Sequence, residues 1–319
     1  MQLSILDQTL VHPGSTASQT LQDCIKLAKL AEQWGYHRFW VTEHHDSAQF
    51  ACASPEILMA RLAAETSSIR IGAGGLLLPN HPVEQVANNF NMLQTLYPGR
   101  IDLGIGRGGS ESALIRQLLN PAHTYDAGIY KQKILSLSLL LRQQKNASEH
   151  LTAFPECWLL GSGTTTSRLA AELGLPLSYA HFINPADGPS NIQLYRDHFS
   201  ANETNNAKTS IAVFVICAED ETNLQRLLRE LDFGLLRSER KKQMPVLPGT
   251  AQQYTFTNEE EIQVLENRQK AIWGSPKTIC WQLQEFAEGY GVDELILLTH
   301  TSDLDDKMNI FRLVAKACL

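Results

Sequence analysis

The feature that most constrains the fold of this chain is the alternation of strand-like and helix-like segments from one end to the other. The strand-like segments are short and rich in large apolar residues. They lie at residues 3–6, 38–41, 69–72, 100–105, 157–160, 177–180, 210–217 and 294–298. Segments with helical spacing of apolar residues follow them, such as Thr20 to Trp34, which ends at Gly35. Eight strands that are each followed by a helix are typical of an α/β protein with a (β/α)₈ TIM barrel.

The predicted barrel has one alternative and one irregular region. An open, doubly wound sheet would show the same alternation, because the number of strands does not tell whether the sheet closes. Between the seventh and eighth strands, residues 237–258 are first basic, then contain Pro and Gly, and then become polar. We predict one barrel domain over residues 1–319, with an inserted region of about 237–273 that includes a helix from Glu259 to Trp273.

The composition excludes several classes of protein. Of the 319 residues, 43% are hydrophobic, which is enough for a large core. A net charge of −7 gives no basic face for nucleic acid, and no apolar run reaches the ~18 residues that a membrane span needs. The first residues lack the basic and apolar regions of a secretory signal, and the six cysteines show no CxxC spacing. We therefore predict a cytoplasmic protein with reduced thiols that binds neither nucleic acid nor membrane.

The strongest candidates for chemistry are Glu43, His44 and His45, which come just after the apolar strand segment 39–41. The carboxyl ends of strands form the functional rim of a parallel α/β fold, and imidazoles there can transfer protons near neutral pH. We expect no metal site, because neighbouring side chains on an extended chain point to opposite faces and do not converge on one ion. The alternative is a polar strand exit that only hydrogen bonds to a loop. In a barrel, we favour the catalytic interpretation.

Two glycine-rich segments follow the third and fourth strands. Glycine within the strand segment 72–75 marks a bulge or the close approach of a backbone or a ligand, so a tight barrel bend and a flat ligand ring both fit it. Residues 104–109 have the GxGxxG spacing of dinucleotide-binding turns, but three strand–helix units precede them, whereas that fingerprint belongs to the first unit. Arg107, among these glycines at a strand exit, suits a phosphate or another anion.

A third loop, Gly161-Ser162-Gly163-Thr164-Thr165-Thr166, follows the fifth strand and opens a helix. Backbone N–H groups and hydroxyls at a helix N-terminus form a site for anions. Plain N-capping is the alternative, but it needs a single hydroxyl, and four hydroxyl residues occupy five positions here. We therefore favour a phosphate site. His81, at the exit of the third strand, is expected to make either a loop hydrogen bond or an active-site contact.

Together these segments resemble the bacterial luciferase-like monooxygenase family of flavin-dependent (β/α)₈ barrels, in particular its "luciferase family oxidoreductase, group 1" type. The similarity runs over essentially the whole chain and is carried by residues 3–8, 35–45, 69–82, 98–107, 158–162, 169–176 and 274–276. The resemblance implies a monooxygenase in which reduced FMN, supplied by a separate NAD(P)H-flavin reductase, reacts with O₂ to give a C4a-(hydro)peroxide. The oxygenated substrate would be a small organic molecule, with an aldehyde as one candidate. A homodimer is the assembly typical of the family.

The resemblance also implies roles for individual residues. His44 matches the catalytic histidine of the family, with His45 and Glu43 orienting it or lining the site. Gly74 and Gly75 would give the flavin ring room, and family members often have a non-proline cis peptide near this position. The residues expected to hold the phosphate are Arg107, Gly161, Ser162, Thr165 and Thr166.

Some positions differ from the family pattern, and other functions stay open. Near relatives usually have Arg-Ala-Pro-Gly where this chain has Arg107-Gly108-Gly109-Ser110, and two histidines where this chain has only His181. One alternative is an F420-dependent oxidoreductase that transfers hydride on the same barrel. Another is a flavin-binding protein without catalysis. The third is a Rossmann dehydrogenase that uses Gly104 to Gly109 for its dinucleotide.

Overall fold

The computed structural model describes residues 1–45, 47–108, 113–119, 126–147, 154–201, 206–239 and 249–319. The strands are Gln2–Asp7 (β1), Arg38–Val41 (β2), Arg70–Leu77 (β3), Ile101–Gly106 (β4), Glu156–Gly161 (β5), Leu177–Ala180 (β6), Thr209–Cys217 (β7), Ala271–Gly274 (β8) and Glu294–Leu298 (β9). The helices are Ala17–Gln33 (α1), Pro55–Glu65 (α2), Val83–Leu96 (α3), Ala113–Leu119 (α4), Ala127–Ala147 (α5), Thr164–Leu173 (α6), Gly188–Asp197 (α7), Glu221–Glu239 (α8), Thr250–Gln253 (α9), Asn258–Asn267 (α10), Ile279–Tyr290 (α11) and Leu304–Cys318 (α12). Two 3₁₀ helices, Leu78–Asn80 and Arg268–Lys270, follow β3 and α10. None of the helices described is both long and apolar enough to cross a membrane.

The strands close into a barrel in which every pairing is parallel. Each strand from β1 to β6 pairs with the next, β7 pairs with β6 and β9, and β9 returns to β1. This closure of eight strands confirms the predicted TIM barrel and excludes the open, doubly wound sheet. The carboxyl ends of the barrel strands therefore meet on one rim, where TIM barrels carry their functional residues.

The predicted helix from Glu259 to Trp273 is wrong at its end. Helix α10 begins under a capping box formed by Thr257 and Glu260, but it ends at Asn267. Strand β8 follows and pairs with β7 from Phe214 to Cys217. Strand β7 extends beyond Phe214, where its pairing with β9 ends, so its last residues need another backbone partner. Tertiary pairing thus makes a strand of a segment whose local pattern indicates a helix.

The predicted insertion of about 237–273 overlaps the last turn of α8. Helix α8 continues to Glu239, residues 240–248 lie outside the described residues, and α9 and α10 pack on α8. Arg229 of α8 donates to the carbonyl oxygen of Ala251 at 2.9 Å. The Glu230 carboxylate accepts from the backbone N–H of Ser302 at 2.8 Å. Because Ser302 follows β9, these contacts attach the inserted helices to the rim of the barrel.

Large side chains fill the barrel interior, and glycines in β3 give them room. Trp40 of β2 and Trp158 of β5 meet edge to face, with ring centroids 5.8 Å apart. A Cβ atom on Gly74 would lie 2.7 Å from Leu6 Cδ1 and 2.9 Å from the Trp40 ring. Packing against neighbouring strands therefore requires glycine at this position, which supports the barrel-bend interpretation of the glycine-rich segment.

Replacing Gly104 of β4 tests this packing. A Cβ atom there would overlap the carbonyl oxygen of Ala73 in β3 and lie 2.9 Å from Leu160 Cδ1. Because backbone does not rotate away as a side chain does, we expect Gly104→Ala to lower the free energy of unfolding by about 1–3 kcal/mol, measured by urea denaturation. A Cβ atom on Gly289 of α11 would instead enter open space among the described residues, so Gly289→Ala is the control and is expected to be neutral or slightly stabilising. Equal losses in the two variants would contradict the packing argument.

A buried charge network closes the end of the barrel opposite the rim. The Arg38 guanidinium of β2 donates to Glu294 at 2.8 Å, to Asp102 at 2.9 Å and to Glu156 at 2.7 Å. Asp102 also accepts from the indole N–H of Trp40 at 2.9 Å, which links the charges to the aromatic core. The network joins β2, β4, β5 and β9 near their amino-terminal ends, so it serves the stability of the barrel rather than its rim.

Candidate active site

A pocket of about 500 Å³ opens at the rim over β3 to β6. Its volume lies within the range of roughly 300–1,000 Å³ that is usual for small-molecule sites. Its lining includes every residue that the sequence predicted for cofactor binding: Gly74, Gly75, Arg107, Gly161, Ser162, Thr165 and Thr166. Leu6, Trp40 and Ile296 add apolar surface from the barrel interior. The structure therefore brings together residues from three loops that are far apart in the sequence.

Part of the lining of this pocket has the chemistry of an anion site. Gly163 is the N-cap of α6, and no side chain caps the helix there. The hydroxyls of Thr164, Thr165 and Thr166 belong to the first turn of α6, so plain N-capping does not account for them. Tyr179 Oη and Asn184 Nδ2 hold the carbonyl oxygen of Ser162, at 3.2 Å and 3.0 Å, and so fix the loop before the helix. With the exposed guanidinium of Arg107 across the pocket, backbone N–H groups, hydroxyls and a cation face one space.

The lining of the pocket also includes a floor of glycine. The peptide bond between Gly74 and Gly75 is cis, at the position where the family resemblance implies one. The register between β3 and β4 shifts at Gly75, so the segment is a bulge rather than an interruption of the strand. Phe182 and Ile183, which follow β6, line the pocket as well. His181 instead contacts Tyr290 Oη at 2.6 Å and the carbonyl oxygen of Gln269 at 2.7 Å.

Glu43 lies beside this floor and ties β2 to β3. Its Oε1 contacts His45 Nε2 at 2.6 Å and His81 Nε2 at 2.8 Å, and its Oε2 accepts from the backbone N–H of Leu77 at 2.7 Å. Burial alone would raise the pKa of Glu43, but the hydrogen bonds from the two histidines and from Leu77 lower it to about 2. The carboxylate is therefore ionised at neutral pH, and both imidazoles donate to it. His81, for which the sequence left a loop hydrogen bond and an active-site contact open, contacts Glu43.

His44, between Glu43 and His45 in the chain, packs on a different partner. Its ring stacks on Phe50 with centroids 4.0 Å apart and planes at 18°. Its Nε2 is buried and has no hydrogen-bond partner among the described residues. Burial lowers the pKa of His44 to about 4, so the ring is neutral at pH 7. A neutral imidazole whose ring nitrogen has no partner among the described residues can act as a proton donor or acceptor.

An NMR titration of the His44 ring checks this environment. We expect a midpoint near 4, because burial opposes the charged form more strongly than the Glu43 carboxylate favours it. The reference is histidine in an unstructured peptide, with a pKa of about 6.5. A midpoint at or above that reference would contradict the burial of the ring.

Glu43, His44 and His45 do not line the 500 Å³ pocket themselves. They occupy the exit of β2, next to the β3 floor that Glu43 holds through Leu77. The GxGxxG segment lines the pocket through Gly106, Arg107 and Gly108, whereas Gly109 lies outside the described residues. A dinucleotide fingerprint acts in an open doubly wound sheet, so the closed barrel excludes the Rossmann dehydrogenase.

Residues 1–294 match the family model of luciferase-like monooxygenases. The chain belongs to this family. Among relatives of this luciferase-like monooxygenase, the uncharacterized protein YwcH of Bacillus subtilis is 36% identical over 99% of the chain and 98% of YwcH. The N-acetyl-S-alkylcysteine monooxygenase of Bacillus subtilis is 31% identical over 100% of the chain and 98% of the relative.

Solved structures agree with the fold of this family member. The crystal structure of apo-MsnO8 has a TM-score of 0.88 and 32% identity and covers 99% of this chain and 98% of its own. The oxygenating constituent of 3,6-diketocamphane monooxygenase from Pseudomonas putida, in complex with FMN, has a TM-score of 0.74 at 20% identity over 99% and 97% of the two chains. An F420-dependent secondary alcohol dehydrogenase has a TM-score of 0.68 at 15% identity over 100% and 99%. The last two show a shared fold.

The sequence missed one histidine at the rim of this luciferase-like monooxygenase. His300 follows β9, and its Nε2 donates to Gln8 Oε1 at 2.5 Å after β1. Its ring packs edge to face on Phe214, with centroids 5.0 Å apart. Burial, with smaller repulsion from Lys307 and His44, lowers the pKa of His300 to about 4. A single histidine after an apolar strand carries no distinguishing pattern, so only the closure of β9 onto β1 reveals this position.

Proposed function

We propose that this protein is a monooxygenase that uses reduced FMN to transfer one oxygen atom of O₂ to a small organic substrate. The observation that carries the proposal is the pocket over β3 to β6, whose lining combines an anion site with a glycine floor. His44, whose ring is neutral at pH 7, lies at the neighbouring strand exit. Family membership supports monooxygenase chemistry, and the lining supports a cofactor that has a flat ring and a phosphate.

The described residues fit FMN. Arg107, Ser162, Thr165, Thr166 and the backbone N–H groups at the start of α6 would hold the phosphate, with Gly161 allowing the close approach of Thr166. Gly74 and Gly75 would face the ring system, with apolar walls that exclude water. Reduced FMN, when bound, supplies the electrons that activate O₂.

His44 would exchange the proton that oxygen transfer requires, at its unpaired Nε2. Glu43 and His45 would act through position rather than by proton transfer. The Glu43 carboxylate, held by two imidazoles and the Leu77 N–H, fixes the exits of β2 and β3 relative to each other. That arrangement fixes the strand exit that carries His44 relative to β3.

The substrate proposal covers two classes of molecule. The 31% identical relative is named for action on an N-acetyl-S-alkylcysteine, a thioether, and the family resemblance adds aldehydes. We also propose a separate NAD(P)H-flavin reductase as the source of reduced FMN, a cytoplasmic location and a homodimer. The outer faces of α2, α3 and α5 support the homodimer, since Ile57, Met92 and Leu139 are 71%, 60% and 60% exposed.

Replacing Arg107 tests how the cofactor is held. We expect Arg107→Met to weaken FMN binding roughly tenfold to a hundredfold, because a charged hydrogen-bond donor to phosphate is lost. Binding of riboflavin, which has no phosphate, should change little. Isothermal titration of the wild type with FMN, riboflavin and F420 gives the reference affinities, and Arg61→Met, on the exposed face of α2, is the control. Tighter binding of F420 than of FMN, or equal losses for FMN and riboflavin in Arg107→Met, would contradict the proposal.

A further inference from the structure

A lysine outside the rim holds the turn that follows β3. Lys133, on α5, donates from its ammonium group to three backbone carbonyl oxygens, at 3.1 Å for Leu78, 3.1 Å for Pro79 and 2.8 Å for His81. The three hydrogens of the ammonium therefore each have a main-chain acceptor. All three acceptors belong to the 3₁₀ turn Leu78–Asn80 and the residue after it.

This turn carries one of the two imidazoles that hold Glu43. His81 Nε2 lies 2.8 Å from Glu43 Oε1, and the same carboxylate binds His45 and the backbone N–H of Leu77, directly before the turn. Continuous contacts thus lead from Lys133 through the turn to His81 and Glu43. They end at the strand exit that carries His44.

We propose that Lys133 is a positioning residue: its ammonium fixes the turn after β3, so that His81 keeps the Glu43 carboxylate on His45 and Leu77 beside His44. Three carbonyl dipoles that converge on one point repel one another unless a cation lies between them. A neutral side chain of similar length leaves these carbonyls without that cation. The proposal rests on the proposed function only in assigning proton exchange to His44.

The surroundings of Lys133 make its charge responsive to pH. Burial lowers its pKa to about 8, and Glu84 of α3 acts in the opposite direction. Among the described residues, Glu84 on α3 is the charged group that acts on Lys133, and His81 meets it through its backbone carbonyl. Above the pKa the amine keeps two hydrogens for three carbonyls, so the turn loosens. An arginine stays protonated at every accessible pH.

Hydrogen exchange in the protein without flavin or substrate tests the proposal. In Lys133→Met, we expect the backbone amides in residues 74–82, including Leu77 and His81, to exchange about tenfold faster, which is the effect of a net loss near 1.4 kcal/mol. Lys133→Gln keeps two donors, so its exchange rate should lie between those of Lys133→Met and the wild type. Lys133→Arg should restore slow exchange. Lys131→Met is the matched control, because Lys131 lies on the same helix but pairs with exposed Glu172 at 2.8 Å.

The imidazoles give a second readout in the same protein. The ring N–H resonances of His45 and His81, which donate to Glu43, should broaden or shift in Lys133→Met and return in Lys133→Arg. With reduced FMN and a substrate, Lys133→Met should lower the maximal rate and leave the dissociation constant for FMN unchanged, because Lys133 does not line the pocket. The alkaline fall of the wild-type rate should move to higher pH in Lys133→Arg.

The outcomes separate this proposal from the proposed function. Exchange in residues 74–82 that is unchanged in Lys133→Met, or an increase spread evenly over the chain that Lys133→Arg does not reverse, would overturn the positioning role. Absence of oxygen transfer in the wild type would overturn the proposed function, while the exchange and imidazole results would still decide the role of Lys133.

Discussion

Replacing His44 by alanine is expected to lower the rate of oxygen transfer by roughly 10²–10⁴-fold, the usual contribution of a positioned proton-exchange group. The affinity for FMN should stay nearly the same, because His44 does not line the cofactor pocket. The physical reason is the state of the ring: burial keeps it neutral at pH 7, and its Nε2 has no partner among the described residues. Single-turnover kinetics with reduced FMN measure the rate, and isothermal titration measures the affinity.

The control for this variant is His198→Ala, since His198 is an exposed residue at the end of α7, far from the rim. It should retain the wild-type rate. Loss of FMN binding in His44→Ala, with an unchanged rate per bound cofactor, would show that His44 is part of the cofactor site rather than a proton-exchange group.

The largest effect on stability is expected from Arg38→Met. Removing the guanidinium leaves the buried Glu294 carboxylate without its cation, whereas Asp102 keeps Arg70 and Glu156 keeps Lys208. Breaking a buried ion pair from one side costs about 3–5 kcal/mol, because the charge that remains is uncompensated. Chemical denaturation should show this loss at pH 7. Lys29→Met is the control, as Lys29 pairs with Glu65 at the surface and should cost no more than about 1 kcal/mol.

The stability lost in Arg38→Met should become smaller as the pH falls. Burial alone would raise the pKa of Glu156, but Arg38 and Lys208 lower it to about 2. A carboxyl group with a lowered pKa in the folded state stabilises the protein above its unfolded pKa, and this contribution disappears as the pH falls toward the folded pKa. The difference in the free energy of unfolding between wild type and Arg38→Met should therefore become smaller below about pH 4.5. A loss under about 1 kcal/mol at pH 7, or one that widens on acidification, would contradict the account of the network.

The sequence predicts the barrel because each barrel strand and its helix carry a local pattern, and closure follows once eight such units are present. The sequence-based prediction is wrong at β8. Four residues form a strand there only because β7 continues beyond its pairing with β9. Pairing with a distant strand is a tertiary effect, and the segment's own apolar spacing continues that of α10. Near the start of the predicted insertion, the basic residue Arg237 does not interrupt α8, which continues to Glu239.

The anion loops and Glu43-His44-His45 could be predicted because strand exits of a barrel meet on one rim. The residues that these side chains contact could not be predicted. His81 was visible only as a histidine near a strand exit, and its contact with Glu43 depends on the course of the turn. Lys133 and His300 lie on elements whose relation to β3 and β1 appears only in three dimensions. At Gly74 the two interpretations of the glycine-rich segment apply to the same residue. It has to be glycine to pack against Trp40, and it also lines the pocket.

The most direct test of the central claim is the fate of labelled oxygen. The protein would be mixed with chemically reduced FMN, ¹⁸O₂ and a panel of thioethers, including an N-acetyl-S-alkylcysteine, and aldehydes, and the products would be analysed by mass spectrometry. We predict that at least one product gains one ¹⁸O atom in a reaction that needs reduced FMN and is lost in His44→Ala. Recovery of all consumed oxygen as hydrogen peroxide, with no label in any product of the panel, would contradict it.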